Sequence, residues 1–160
     1  MLMKDKLQEY AELGLGSRLK RLSEYLMRET QLVYNACNID FDPYLFPVFR
    51  FIIDHNTITT TTIQEGLQFT QPAITQSLKK LTEKKLVTYK TDTKDKRKKL
   101  FTLSKKGKDL HQQMIPIWAV IDEQVKWLTE GSAIGLTHHL THLENQFAEK
   151  SLSHRILEKL

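Results

Sequence analysis

Cysteine occurs once in this chain of 160 residues, at Cys37. No internal disulfide framework is available, and a reducing compartment fits. Long apolar runs are missing too: none approaches the roughly 18 residues that a bilayer span requires. The opening MLMKDKLQEY is charged from its fourth residue and has no apolar signal-peptide core. There is no Gly-rich phosphate loop, no nucleophile elbow and no acid/base pair of catalytic form, so neither an enzyme nor a cofactor is expected. No internal repeat or low-complexity linker divides the chain. With 40% hydrophobic and 27% charged residues, what remains is the composition of one cytoplasmic globular domain that makes no use of a membrane.

What is present is charge, in one place. Of the Lys and Arg residues, nine fall between Lys90 and Lys108, against Asp92 and Asp95 only, a local net of +7. The rest of the chain carries 15 basic and 17 acidic residues, so all the excess positive charge lies in that segment. Such concentration marks a localised anion-binding surface. Charge alone also fits a solvated face, but a solvated loop has no need of the alternating LFTLS that follows it.

Apolar spacing organises the remainder. Leu15, Leu19, Leu22 and Leu26, extended by Tyr25 and Val33, predict one long helix from residue 5 to about 36. Asp42-Pro43 then has the form of an N-cap and first-turn proline, opening a helix to about Asp54 with Leu45, Phe46, Phe49, Ile52 and Ile53 inward. The threonine run after His55 suits a short extended segment leading into a stubby helix, roughly 61–67. QFT reads as a tight turn, with Thr70 as N-cap of a helix from Gln71 to Lys84. That helix turns Ile74, Ser77, Leu78 and Leu81 one way, and Pro72, Thr75, Gln76 and Lys79 the other. LVTYKTD and KLFTLS alternate as strands, joined by a tip at 92–98. Ser104 is placed to cap a long helix with the seam Met114, Trp118, Ile121, Val125 and Leu128, which Pro116 should bend. TEGS breaks it, and a last helix carries Leu136, Leu140, Leu143, Phe147, Leu152, Ile156 and Leu160.

The expected fold is therefore mainly α (α+β), with helical ends around a compact middle. A short helix, a tight turn and a second helix with a polar outer face form a helix-turn-helix, and the hairpin with a cationic tip is a wing. Gln71, Thr75 and Gln76 suit base edges, glutamine in particular a bidentate contact on adenine. Lys79, Lys94, Lys96, Lys98 and Lys99 suit phosphates. The terminal helices carry more apolar stripe than the middle can cover, which points to a homodimer.

Asp95-Lys96-Arg97, the alternating strand and Leu103-Ser104-Lys105-Lys106-Gly107 together resemble the wing signature of the MarR (multiple antibiotic resistance regulator) family. QPAITQSLKKLTEKKLV resembles its recognition helix, and the terminal helices its dimerisation region, so the resemblance spans essentially the whole chain. It implies a single MarR-like domain over 1–160, with a winged helix-turn-helix at 42–107 and dimerisation helices at 1–38 and 108–160. It also implies a homodimeric regulator, usually a repressor, on double-stranded DNA with a pseudo-palindromic operator. Thr70, Gln71, Thr75, Gln76, Lys79, Lys94, Lys96, Arg97 and Lys98 form the expected DNA-binding set. By the same resemblance Arg97 enters the minor groove and Asp95 braces the wing; a guanidinium also suits the negative potential of a narrow A·T-rich groove. A small aromatic or lipophilic effector is implied as well, without assignable residues, although Tyr44, Phe46, Phe49 and Trp118 supply aromatic surface. The sequence departs from the family where Lys85 and Gln68 replace its usual glycines and Gln64 its small alanine. A left-handed position at Lys85 would cost about 1 kcal/mol.

Three other features have plainer readings. Cys37, near a helix end, reads as a small buried hydrophobe rather than a redox sensor. His138 and His142 stand at a zinc-compatible spacing, but only Glu144 lies near, so no metal is expected. A helical dimeric protein-interaction module with only non-specific DNA affinity is the competing function, and the concentrated wing charge argues against it.

Overall fold

The computed structural model describes residues 5–129 and 135–159. Most of these are helical, and the one sheet is a two-stranded antiparallel hairpin. The chain falls into two compact units, 1–112 and 113–160.

The first unit holds helices α1 (Lys6–Glu9), α2 (Leu15–Ala36), α3 (Phe46–His55), α4 (Thr60–Leu67) and α5 (Gln71–Glu83), strands β1 (Val87–Thr91) and β2 (Lys99–Leu103), and the start of α6 (Lys105–Thr129). The single helix expected over 5–36 is broken. Asp5 caps α1, accepting from the Leu7 N–H, and the chain turns at Ala11, with φ 46°, into a 3-10 turn (Ala11–Gly14) before α2 begins. Gly14 permits the break: a Cβ there would lie 2.5 Å from the Leu7 carbonyl oxygen. Arg21 reaches back from α2 to grip the Asp5 carboxylate with both Nη atoms, at 3.1 and 2.5 Å.

The core forms where the faces of α3, α4 and α5 meet the hairpin. Phe49, Ile52, Ile63, Ile74, Leu78, Leu81, Leu86, Val87 and Phe101 are buried there. Tyr34, the buried residue of α2, meets Phe41 edge-on at 6.0 Å, and Phe41 meets Phe49 at 5.1 Å. In α3 the spacing misassigned one residue: Phe46 is 38% exposed, and Val48 takes the buried position. Pro43–Leu45 forms a 3-10 turn that starts α3 three residues later than expected, so the inward face is counted from Leu45 and Val48. Ile58 adds a bridge that sequence alone did not indicate. It exchanges two backbone hydrogen bonds with Phe101, at 3.0 and 2.7 Å, and so widens the sheet by one residue pair on the side of β2 away from β1.

The second unit holds the rest of α6 with α7 (Leu136–Glu149) and α8 (Leu152–Leu157). The last helix was expected to be continuous; it breaks at Lys150, whose backbone is extended, and Ser151 caps α8. Arg155 stabilises the corner by donating to the Lys150 carbonyl at 3.0 Å and to the Gln146 carbonyl at 2.9 Å, which also accepts the Lys150 N–H at 3.1 Å. Most of the TEGS break and Leu160 lie outside the described residues. Ile115, Val120, Val125, Trp127, Leu128 and Phe147 are exposed in this unit, as Leu15, Leu19, Leu22 and Leu26 are on α2 in the first.

Candidate nucleic-acid interface

The helix-turn-helix is built from α4 and α5. Threonines crowd the start of α4, where a β-branched hydroxyl is useful: Thr59 is the N-cap, its Oγ1 accepting from the Thr62 N–H at 3.2 Å. Gln68, at φ 53° and ψ 29°, ends α4 in the left-handed region. Gly66 lets α4 approach α3, because a Cβ there would strike the Phe51 ring at 2.2 Å.

Thr70 occupies the N-cap position of α5, but its side chain makes no capping bond. Pro72 explains part of this, since it removes the N2 amide that such a hydroxyl would accept from. The two faces of α5 separate as the spacing predicts. Ile74, Leu78 and Leu81 are buried, while Gln71, Thr75, Gln76 and Lys79 are exposed along the other side.

The C-terminal end of α5 is tied down on several sides. Leu86 N–H donates to Leu81 carbonyl and Lys85 N–H to Thr82 carbonyl, both at 2.9 Å, closing a Schellman motif around Lys85 at φ 58°. Ser104 Oγ shares its proton between the Lys85 and Leu86 carbonyls, at 2.6 and 3.1 Å, and accepts from the Gly107 N–H at 2.9 Å. Lys106 Nζ reaches the Lys84 carbonyl at 3.0 Å. Lys84 Nζ meets Asp40 at 2.7 Å and Lys80 Nζ meets Asp42 at 3.5 Å. The Lys84 hydrogen bond holds the Asp40 carboxyl below its ordinary pKa. Lys80 and Lys84 are thus engaged within the protein, and Lys79 is the α5 lysine on the polar outer face.

The hairpin pairs Val87 with Leu103 through Thr91 with Lys99. Its tip is ordered by two aspartates. Asp92 Oδ1 accepts from the Lys94 and Asp95 N–H groups, at 2.7 and 3.3 Å. Asp95 Oδ1 accepts from the backbone N–H of Arg97 at 3.1 Å and from its Nε at 3.2 Å. The Arg97 contacts lower the Asp95 pKa, its side chain first and its backbone next. The Arg97 side chain nevertheless stays 91% exposed, and Lys94, Lys96 and Lys98 are exposed around it. Sequence reasoning assigned the bracing to Asp95 and overlooked Asp92, although Asp-x-Lys at a hairpin tip is a side-chain turn signal.

Other predicted features stand apart. Cys37 is exposed at the C-cap of α2, not buried as expected; α2 ends there in a turn that leaves Ile39 and Phe41 to enter the core. His138 and His142 are exposed on α7. Among the described residues no group of three or more His, Cys, Asp or Glu is placed to hold a metal ion, and no helix is long and apolar enough to cross a membrane. Phe49 is fully buried in the first unit's core, Tyr44 and Phe46 are exposed, and Trp118 belongs to the second unit.

Residues 46–98, from α3 through the wing tip, match the MarR family model. No curated protein sequence matches the chain. Among solved structures, the PcaV transcriptional regulator of Streptomyces coelicolor, in complex with its natural ligand, superposes with a TM-score of 0.63 at 18% identity, covering 94% of this chain and 99% of its own. The transcriptional regulator BldR of Sulfolobus solfataricus gives 0.61 at 17%, with coverages of 88% and 96%. A cysteine-to-serine mutant of MarR from E. coli, complexed with operator DNA, gives 0.58 at 20%, with coverages of 91% and 98%. Identities this low establish a shared fold, and the family model identifies its central segment. The chain has the fold of these transcriptional regulators, and its segment 46–98 matches the MarR family model.

Proposed function

We propose that this protein is a dimeric, sequence-specific DNA-binding transcriptional regulator, acting in the cytoplasm as a repressor of a pseudo-palindromic operator. The observation that carries this reading is the wing tip. Arg97 is held at its Nε by Asp95 while the rest of its side chain projects into solvent, among the most concentrated cations of the chain. Such an arrangement suits insertion into a minor groove of negative potential. The exposed face of α5 offers Gln71, Thr75 and Gln76 for base edges in the adjacent major groove, with Thr70 at its N-terminus and Lys79 for a phosphate. Lys94, Lys96 and Lys98 add phosphate contacts around the tip.

Residues 42–107 form the DNA-binding region in this reading, and 1–38 with 108–160 the dimerisation region. The exposed apolar stripe on α2, and those of the second unit, support self-association. The solved PcaV complex with its natural ligand supports release by a small molecule, for which an aromatic or lipophilic compound is the class proposed.

The test is a fluorescence-anisotropy titration of a duplex from upstream of the protein's own coding region against a scrambled duplex, at several salt concentrations. A preference of roughly 10³ or more, with a steep inverse salt dependence, supports a specific regulator. Equal, weak and salt-sensitive binding to that duplex and to a scan of the surrounding genome supports a helical interaction module with non-specific affinity.

A further inference from the structure

Beside the outer face of α5 lies an open cleft of about 400 Å³. Thr75, Lys79, Thr82 and Glu83 line it from α5, Thr60 from the start of α4, and Tyr89 and Lys99 from the hairpin. Leu78 and Phe101, both buried, form its floor. Lys99 opens β2 opposite Thr91, and its Nζ sits 4.2 Å from the centroid of the Tyr89 ring. That ring rests on Phe101 at 5.5 Å. The cation–π contact holds a long, flexible ammonium at the cleft wall; among the described residues no carboxylate is paired with it, and the cleft's own acid, Glu83, is the partner of Lys79. On the opposite wall Lys79 is paired only loosely with Glu83, at 3.9 Å.

We propose that this cleft seats one deoxyribose-phosphate of the DNA backbone, with Lys99 and Tyr89 as its contacts on the hairpin side. The proposal rests on the DNA-binding reading above; it adds Tyr89 to it and gives Lys99, a phosphate contact by sequence, a defined seat. If α5 occupies a major groove and the wing tip the neighbouring minor groove, one sugar–phosphate strand must pass between them, and the cleft is the space between. Its chemistry matches that strand. A cation on each wall, Lys79 and Lys99, serves the phosphate. The Tyr89 ring and the apolar floor suit the face of a sugar. Thr75 offers a hydroxyl proton, whereas Thr82 has committed its own to the Leu78 carbonyl at 2.7 Å.

Lys99→Gln and Tyr89→Leu, compared with wild type by anisotropy, test this on native and scrambled duplexes and on a series of native duplexes carrying one methylphosphonate each. Lys99→Gln should weaken both natural duplexes about tenfold, flatten the salt slope by about one unit and leave the preference between them unchanged. One methylphosphonate that weakens wild-type binding should have no further effect on Lys99→Gln. Tyr89→Leu should reproduce the loss in part, because Lys99 loses its rest, with the far-ultraviolet spectrum unchanged. Wild-type affinity and slope in Lys99→Gln, with every methylphosphonate effect retained, would overturn the cleft contact while leaving the regulator reading intact. A wild-type protein that binds no duplex overturns both.

Discussion

The Asp95 carboxylate holds Arg97 at two points through one oxygen: Oδ1 accepts the backbone N–H at 3.1 Å and the side-chain Nε at 3.2 Å. The first bond shapes the turn and the second aims the guanidinium. Both Nη groups remain available, so the residue is oriented without being consumed. An exposed ion pair of this kind contributes little to stability; its value lies in pre-organising a cation for a ligand.

Arg97→Ala should therefore leave the fold and oligomeric state intact and weaken operator binding by about 10²-fold, equivalent to roughly 2–3 kcal/mol for a groove contact. Asp95→Asn keeps an oxygen acceptor for the backbone N–H but loses the charge, and should cost less than Arg97→Ala. Anisotropy titrations rank the two. An Asp95→Asn defect equal to or larger than that of Arg97→Ala would mean that the turn, not the guanidinium, matters.

The same contacts set a pH expectation. Asp95 has its pKa lowered, first by the Arg97 side chain and then by the Arg97 backbone. A depressed carboxylate contributes above its unfolded pKa and loses that contribution as pH falls through its folded value. The brace should thus be unchanged between about pH 5 and 8 and weaken only below the usual carboxylate range, near pH 4. In Arg97→Ala the Asp95 carboxyl should titrate higher, though not fully at its free value, because the backbone N–H still donates. A carbon-detected NMR titration of that carboxyl reads the shift directly, and an identical pKa in both proteins would contradict the geometry.

Gly107 is required by a close approach. A Cβ at this position would lie 2.0 Å from the Leu86 carbonyl oxygen, where α6 starts against the end of α5. Backbone must move, so Gly107→Ala should destabilise the protein by about 3 kcal/mol, the upper end for overpacking. Chemical denaturation measures it. A change under about 0.5 kcal/mol, the usual surface value, would show that the junction yields easily.

Lys85 presents the reverse case. Its φ of 58° is left-handed, and a side chain there costs about 1–2 kcal/mol. Glycine relieves that strain but adds unfolded-state entropy worth about 0.4–1 kcal/mol. The strain term is larger, so Lys85→Gly should raise stability by about 0.5–1 kcal/mol. Lower thermal stability in the variant would mean that the Lys85 side chain contributes more than its exposure suggests.

The elements around the interface were legible because each leaves a period in the sequence. Ile74, Leu78 and Leu81 repeat at helical spacing, and β1 and β2 alternate. The left-handed turn at Lys85 was signalled only by the resemblance, which puts the family's usual glycine at that position. Where pattern failed, the determinant was a single local event. The break at Ala11–Gly14 depends on one glycine contact and the Arg21–Asp5 pair, while the apolar stripe of α2 gives no warning of it. The corner at Lys150 depends on Arg155 reaching across it. One bridging pair, Ile58 with Phe101, is too short to show alternation. Cys37 was misjudged because burial at a helix end depends on where the next segment goes. Lys99 read only as one of several phosphate contacts, and Tyr89 as an ordinary strand residue, until their register placed ring and ammonium together.

The apolar stripe of α2 provides the remaining prediction. Leu19, Leu22 and Leu26 are 37%, 43% and 40% exposed, on a helix whose opposite face is charged. Completing the burial of one leucine yields about 1 kcal/mol at the usual value per area. Several such residues on each of two subunits give a substantial gain only if the stripes are covered together. Leu22→Glu inserts a charge into that contact and should convert a dimer to a monomer at micromolar concentration, with helical content retained. Sedimentation velocity reports the state. A monomer engages one half-site and loses the gain from binding two at once, so its affinity for a palindromic duplex should fall to that for an isolated half-site. A variant that stays dimeric would move the interface to the exposed stripes of the second unit, and a wild-type monomer would remove the two-half-site operator from the proposed function.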